Sequence, residues 1–289
     1  MPVSTLIVGG NGMLGRSINA LLSRNPFAQP VTLDLPALDI TSGTSVASAF
    51  REHAPKLVFH CAAMTDVDGC ERGPARAQEV NGEGTRLIAE ACKTAGALLV
   101  YFSTDFVFDG RENRPYTEED APNPLSVYGA TKLEGERHAQ ACPDHLIIRT
   151  AWLFGAGREN FITKIIARAK TGGKFTVVDD QFGSPTYTTD LAGGAMALVE
   201  KNARGIFHLT NRGSCSRHEF ARLIVAKAGL SAEVSPAKTV PAPGIAVRPV
   251  HGVLSLEKYE SLTGLPLRPW QEAAGDFISR HLKAGGAGA

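Results

Sequence analysis

Apolar residues recur along this chain in two rhythms: short, nearly continuous runs, and longer stretches in which they return every third or fourth position. Thr5 to Val8 is the first short run. After the turn GGNGMLG, Arg16 to Ser23 carries helical spacing at Ile18, Leu21 and Leu22. Val31 to Asp34 predicts a second strand that ends in an acid, and Leu38 to Ile40 a short third run, within which Asp39 is an alternative cap for a helix through Phe50. Leu57 to Cys61 reads as a buried strand, Pro74 to Ala95 as a helix, and Ala97 to Phe102 as a strand running into STDFVFDG. Strand-and-helix units repeated in this way imply a parallel sheet with helices on both faces.

Beyond Arg149 the periodicity loosens, as expected of a chain that weaves between that sheet and a smaller lobe. Helices are predicted over Phe161 to Ala169, Leu191 to Val199 and His218 to Ala228, the last capped by Ser216. Phe175 to Val178 predicts a strand, and Ile206 to Leu209 a strand returning to the first lobe. Val240 to Pro249 holds Pro241, Pro243 and Pro249, with Pro236 just before, and reads as an irregular connection. The expected division is 1–150 for the first lobe, with about 176–210 returning to it, and 151–175 and 211–289 mainly for the smaller C-terminal lobe.

Composition narrows the partners. Lys plus Arg number 30 against 29 Asp plus Glu, so no net field recruits nucleic acid or an anionic membrane, and a small or neutral partner is expected. The five cysteines form no C-x-x-C pair, and an odd count fits a disulfide framework poorly, which suggests reduced cytosolic thiols. No apolar run approaches the roughly 18 residues needed to cross a bilayer and the N-terminus has no basic leader, so a cytoplasmic protein is expected. The tail AGGAGA, from Ala284, is expected to be disordered. His60, His208 and His218 fit no ligand spacing, and no metal site is expected.

The candidate chemistry starts at the first turn. Gly9, Gly12 and Gly15 lie between a strand and a helix, where glycines permit a tight turn and the approach of backbone to a pyrophosphate: a dinucleotide signal. The same letters nearly spell a nucleoside-triphosphate loop, but Arg16 stands where that loop needs Lys. Asp34, at the end of the second strand, is placed to take the ribose hydroxyls of NAD, while Arg16 offers a partner for a 2′-phosphate, so NADH and NADPH both stay open. The small Ala62 and Ala63 let a nucleotide lie against the backbone, and TDVDGCE, Thr65 to Glu71, puts polar groups at the carboxyl end of the sheet, either for a ligand or as a solvated loop. Asn81, on an apolar helix, reads as a packing residue.

Asn123 as cap and Pro124 at the first helical position predict a helix in which Tyr128 and Lys132, four residues apart, share one face. A fixed cation beside a phenol favours the phenolate and brings it closer to working range. A hydroxyl at the end of the preceding strand, in STDFVFDG, supplies a third group, a hydrogen-bond donor for a substrate carbonyl oxygen.

These blocks, with NGEGT (Asn81 to Thr85), RTAWLFG (Arg149 to Gly155), DQFGSPTYTTDLA (Asp180 to Ala192) and RPVHGVLSLEK (Arg248 to Lys258), resemble the extended short-chain dehydrogenase/reductases and, within them, the dTDP-4-dehydrorhamnose reductase family. The resemblance implies a Rossmann-type doubly wound parallel sheet with a smaller C-terminal substrate-binding lobe. It implies reduction of a 4-keto sugar nucleotide, dTDP-4-dehydro-L-rhamnose to dTDP-L-rhamnose, by NADH or NADPH. Thr104, Tyr128 and Lys132 would be catalytic, Lys132 also holding the nicotinamide ribose. Gly9, Gly12, Met13, Leu14, Asp34, Asp39, Ile40, Ala62 and Ala63 would hold the cofactor. Thr65, Val67, Asp105, Trp152, Gln181 and Ser184 would line the sugar-nucleotide pocket, with Asn160 and Arg248 as phosphate partners. A homodimer is compatible with the resemblance, and no match for the magnesium site that some relatives form between subunits is present. Phe106, where the family commonly has Tyr, and Met64 and Cys70 in the substrate-facing loop depart from the pattern and bear on the identity of the sugar. A dehydratase needs Asp-Glu after the strand Thr, whereas here Asp105 is followed by Phe106. Two alternatives share the fold: an epimerase that retains its cofactor, and a non-catalytic nucleotide-binding subunit like that of methionine adenosyltransferase.

Overall fold

A computed structural model describes residues 3–25 and 28–286. The first half runs β1 (Val3–Val8), α1 (Met13–Leu22), β2 (Ala28–Leu33), α2 (Gly43–His53), β3 (Leu57–His60), α3 (Val67–Arg72), α4 (Pro74–Ala77), α5 (Gly84–Ala95), β4 (Leu98–Thr104), α6 (Val127–Gln140) and β5 (His145–Thr150). The second half runs β6 (Leu153–Phe154), α7 (Phe161–Lys170), β7 (Lys174–Val178), β8 (Phe182–Gly183), β9 (Thr186–Tyr187), α8 (Thr188–Glu200), β10 (Gly205–His208), β11 (Cys215–Ser216), α9 (Arg217–Lys227), β12 (Glu233–Ala237), α10 (Glu257–Thr263) and α11 (Trp270–Gly286).

Six strands form one sheet in the order β10-β5-β4-β3-β1-β2, every pairing parallel. Side chains alternate across a strand, and the sheet accordingly divides its apolar residues between two cores. Ile7, Phe59, Val100 and Ile148 pack one way, against Ile18 of α1 and Leu191 and Leu198 of α8. Leu6, Val58, Leu99 and Ile147 pack the other way, against Phe50 of α2 and Ile88 and Cys92 of α5. This is the doubly wound α/β sheet that the repeated units imply. A third core belongs to the later segments: Phe154, Ile165 of α7, Phe220 and Ile224 of α9, and Trp270 and Phe277 of α11.

Several elements differ from the pattern-based expectation, each for a local reason. The helix starting at Asn123 begins instead at Val127, capped by Ser126, whose side chain accepts from Gly129 N. Asn123 is drawn away, its N–H donating to Val107 O at 2.8 Å and its Nδ2 to Asp109 at 3.0 Å. The helix over 74–95 is interrupted by a π-helical segment, Gln78–Glu83, between α4 and α5. Leu38 to Ile40 forms no strand, and α2 is capped by Ser42 rather than Asp39, which accepts from Thr41 N and Oγ1 and closes a turn. The strand at Phe175 lies outside the main sheet: β7 pairs with β12 in a separate parallel ribbon. α11 continues through Gly286 into the tail expected to be disordered, and 287–289 lie outside the described residues. Among the described residues no helix is long and apolar enough to cross a membrane.

Candidate active site

The strand order reverses between β1 and β3, the place where an open α/β sheet leaves a crevice at its carboxyl edge. A cleft of about 340 Å³ opens there. The glycine turn forms one wall. Gly9 has φ +78°, and a Cβ on it would lie 2.5 Å from Ala62 N, so only glycine lets the turn close against the end of β3. α1 then begins at Met13 without a side-chain cap, which leaves first-turn N–H groups at Met13 and Leu14 available to an anion.

Gly9, Gly12, Met13, Leu14, Asp34, Asp39, Ile40, Ala62, Ala63, Tyr128 and Lys132 all line this one cleft, as does Thr65. Asp34 is fixed at its rim: Oδ2 accepts from Asn11 N at 3.0 Å and Oδ1 from Leu35 N at 2.9 Å. Arg16 does not reach the cleft. Its Nε donates to Asn11 O and its side chain lies across Gly157, and the arginines on the lining are Arg76 and Arg158 instead. Thr150 also lines the cleft and carries a buried Oγ1 with no partner among the described residues, a polar atom left for a ligand. These features fit a bound dinucleotide.

Tyr128 and Lys132 stand on one face of α6, as their spacing requires. Lys132 is only 3% exposed; its Nζ donates to Phe102 O at 2.7 Å and lies 4.1 Å from the Tyr101 ring centroid. Burial pushes its ammonium down to about 7, with Glu136 opposing. The expectation that Lys132 draws the phenol down is not met. Burial raises the Tyr128 ionisation, with Thr104 opposing and Asp105 adding, so the phenol holds its proton through the neutral range. Phe106 packs edge-on against that ring at 5.5 Å.

Thr104 ends β4 beside them. Its hydroxyl donates to Asp105 Oδ1 at 2.9 Å and accepts from Phe106 N at 3.2 Å, so its hydrogen must turn from Asp105 before it can reach a substrate oxygen. Burial pushes the Asp105 carboxyl up to about 6 while the Thr104 hydrogen bond and Arg217 hold it back. Asn81 packs as expected and also pins the loop that carries Thr65, its Oδ1 accepting from Met64 N and its Nδ2 donating to Met64 O.

The remaining side chains come from separate segments. Val67 opens α3, whose Asp68 accepts from Arg248 Nη2 at 2.9 Å and so ties the proline-rich connection to the first lobe. Gln181 and Ser184 flank β8, both buried, and Gln181 Nε2 donates to Thr239. Trp152, at φ +47°, lies against Gly183.

Asn160 corrects the expectation of a phosphate partner. It caps α7, its Oδ1 accepting from Ile162 N and Thr163 N and its Nδ2 donating to Gly155 O and Arg158 O, which leaves no donor for a phosphate.

Arg217, which no sequence motif singles out, sits among these groups. Its guanidinium lies 3.5 Å from the Trp152 ring centroid and makes no side-chain hydrogen bond or ion pair among the described residues. Burial pushes its ionisation down to about 10, with Asp105 opposing and Arg248 adding to the push. Its place after the capping Ser216 marks a helix start rather than a site.

A second groove, about 560 Å³, lies between α2 and α5, lined by Val46, Phe50, Leu87 and Ala91 together with Arg51, Lys56, Glu90 and Thr94. No group of three or more His, Cys, Asp or Glu among the described residues is placed to hold a metal ion.

The family model described as RmlD substrate binding domain matches residues 3–283. The chain belongs to that family. A dTDP-4-dehydrorhamnose reductase of Streptomyces griseus is 43% identical over 276 residues, covering 93% of this chain and 90% of the relative. Among solved structures, the family's fold returns in a dTDP-4-dehydrorhamnose reductase of Clostridium acetobutylicum, with TM-score 0.92 and 39% identity over 96% of this chain and 99% of that one. It returns again in the Bacillus anthracis dTDP-4-dehydrorhamnose reductase in complex with NADP, with TM-score 0.92 and 35% identity over 97% of this chain and all of that one.

Proposed function

We propose that this protein reduces the 4-keto group of a sugar nucleotide with NADH or NADPH, converting dTDP-4-dehydro-L-rhamnose to dTDP-L-rhamnose. The observation that carries the reading is the meeting, in one cleft, of a glycine-turn cradle with a half-buried Tyr128 that keeps its proton and a buried Lys132 on the same helix face. The nicotinamide supplies the hydride.

The chain's residues do the rest. The glycine turn and the start of α1 hold the pyrophosphate, Asp34 accepts from the adenosine ribose, and Lys132 holds the nicotinamide ribose. Tyr128 gives its proton to the alkoxide oxygen as it forms, and Thr104, turned from Asp105, donates a hydrogen bond to the same oxygen. A phenol held protonated by burial is suited to donating in the reductive direction. Trp152, Gln181 and Ser184 wall the sugar side, and the Arg217 guanidinium, with Arg248 beside it, is suited to the substrate diphosphate. The names of the relatives and the NADP in one of the solved structures support the substrate and cofactor.

The reading is tested by offering purified protein dTDP-4-dehydrorhamnose with each reduced nicotinamide in turn and following loss of its absorbance. Stoichiometric oxidation with formation of dTDP-rhamnose is expected. Turnover without net oxidation by protein that purifies with cofactor attached would replace this reading with an epimerase, and no turnover by protein that purifies bound to a larger enzyme would replace it with a regulatory subunit.

A further inference from the structure

A buried charge cluster continues from the cleft into the protein. One helical turn beyond Lys132, Glu136 is 1% exposed and accepts three hydrogen bonds: from Ser103 Oγ at 2.5 Å, from Arg149 Nε at 2.9 Å and from Arg149 Nη2 at 2.7 Å. Ser103 and Arg149 are partners in the β4–β5 register, so the sheet itself brings both donors under α6. Ser103 also lines the cleft. Burying an ion pair is a poor route to stability, because desolvation offsets most of the attraction and an apolar set of similar volume packs as well. The location of this pair just behind Ser103 in the cleft lining, with Glu136 one turn from Lys132, calls for a different reason.

The titratable groups facing Lys132 supply one. His60 and Cys61 approach from β3, Tyr101 from β4, and Tyr128 and Glu136 from α6, with Arg149 of β5 behind Glu136. Burial pushes His60 down to about 3, with the Lys132 charge adding, so it is neutral. Burial likewise raises Cys61, Tyr101 and Tyr128, which stay protonated. Glu136 is therefore the negative charge in this set, and Arg149 consumes part of its effect.

We propose that Glu136, clamped by Arg149 and Ser103, is a positioning residue that keeps the Lys132 ammonium charged in its dry site, and that Arg149 sets how strongly it does so. The proposal rests on the reading that Lys132 works in the cleft. Its sign follows from the charges. Burial already drives Lys132 to about 7 against the pull of Glu136, so losing the carboxylate lowers it further, and activity that needs the ammonium falls away at lower pH. Losing Arg149 leaves the carboxylate facing Lys132 alone and moves the fall to higher pH.

The experiment measures kcat and reduced-nicotinamide affinity against pH for the full chain and for Glu136→Gln, Arg149→Met and Ser103→Ala. Glu136→Gln keeps the shape and an acceptor for Arg149. Its activity should match the parent within about threefold at acid pH and fall about tenfold below it on the alkaline side, the midpoint moving down by about one unit. Arg149→Met should move the midpoint up, and Ser103→Ala up by less. A Glu136→Gln profile that parallels the parent at every pH, or an Arg149→Met shift in the same direction as Glu136→Gln, overturns the proposal and leaves the cluster a structural one. If Glu136→Gln does not fold, the upward shifts in the other two variants carry the test. Lys132→Met separates the two readings: parent-like activity there removes Lys132 from the mechanism, whereas its loss with parallel profiles in the cluster variants refutes Glu136 alone.

Discussion

The two sides of the candidate site are built on different principles. On the cofactor side, the chain presents mainly backbone and short side chains from consecutive strand ends: the turn at Gly9, the uncapped start of α1, Asp34 and the alanines after β3. On the side proposed for the sugar nucleotide, side chains from far-apart segments gather beside the cleft, with Thr65 and Asp68 near α3, Trp152 before β6, Gln181 and Ser184 around β8, Arg217 on α9 and Arg248 in the proline-rich connection. A backbone cradle follows from a local motif, because a few consecutive dihedrals decide it. A side-chain wall follows from how separate elements pack, which no local stretch encodes.

The sharpest way to test the division is where the walls meet. Tyr128→Phe keeps the ring on Phe106 and removes the proton donor, so kcat should fall by about 10² to 10⁴ while NADPH affinity, read by fluorescence titration, stays at the parent value. Parent-rate turnover by the folded variant would break the proposed chemistry. The substrate wall answers next. Arg217→Leu should raise the KM for the sugar nucleotide by about tenfold and leave cofactor affinity alone, since its guanidinium has no hydrogen-bonded partner among the described residues to lose. An unchanged KM would take Arg217 out of the diphosphate site.

The cofactor wall is probed more gently by Asp34→Ala, which should weaken NADH several-fold and NADPH less, because only NADH offers a free 2′-OH to the carboxylate. Equal losses would show that Asp34 braces the turn through Asn11 and Leu35 without reading the ribose. The smallest effect belongs to Asn160→Ala. As a helix cap it should cost about 1 kcal/mol of stability in a denaturant melt and leave the sugar-nucleotide KM unchanged.

Asn160 and Arg217 also mark the limit of what the residue pattern conveys. Asn160, expected as a phosphate partner, instead forms a capping box with Thr163, and Gly155 and Arg158, whose carbonyls take its amide hydrogens, leave it no other role. Arg217 reads as the first residue after a capping Ser, and only the packing of α9 against Trp152 turns it into a half-buried cation with its side-chain donors unengaged among the described residues. The start of α6 shows the same effect at short range: Asn123 and Ser126 are comparable caps, and the loop at Val107 and Asp109 takes the first and leaves the second.

The parallel sheet, the cradle at Gly9 and the shared face of Tyr128 and Lys132 are already written in the order of the residues, since periods of two and 3.6 residues and the freedom of glycine act over a few neighbouring positions. The protonation of the site is not. Tyr128 is held protonated, Lys132 is drawn toward neutrality and Glu136 becomes its counter-charge only once the sheet and α6 exclude water, and desolvation depends on everything packed around a group rather than on its neighbours in the chain.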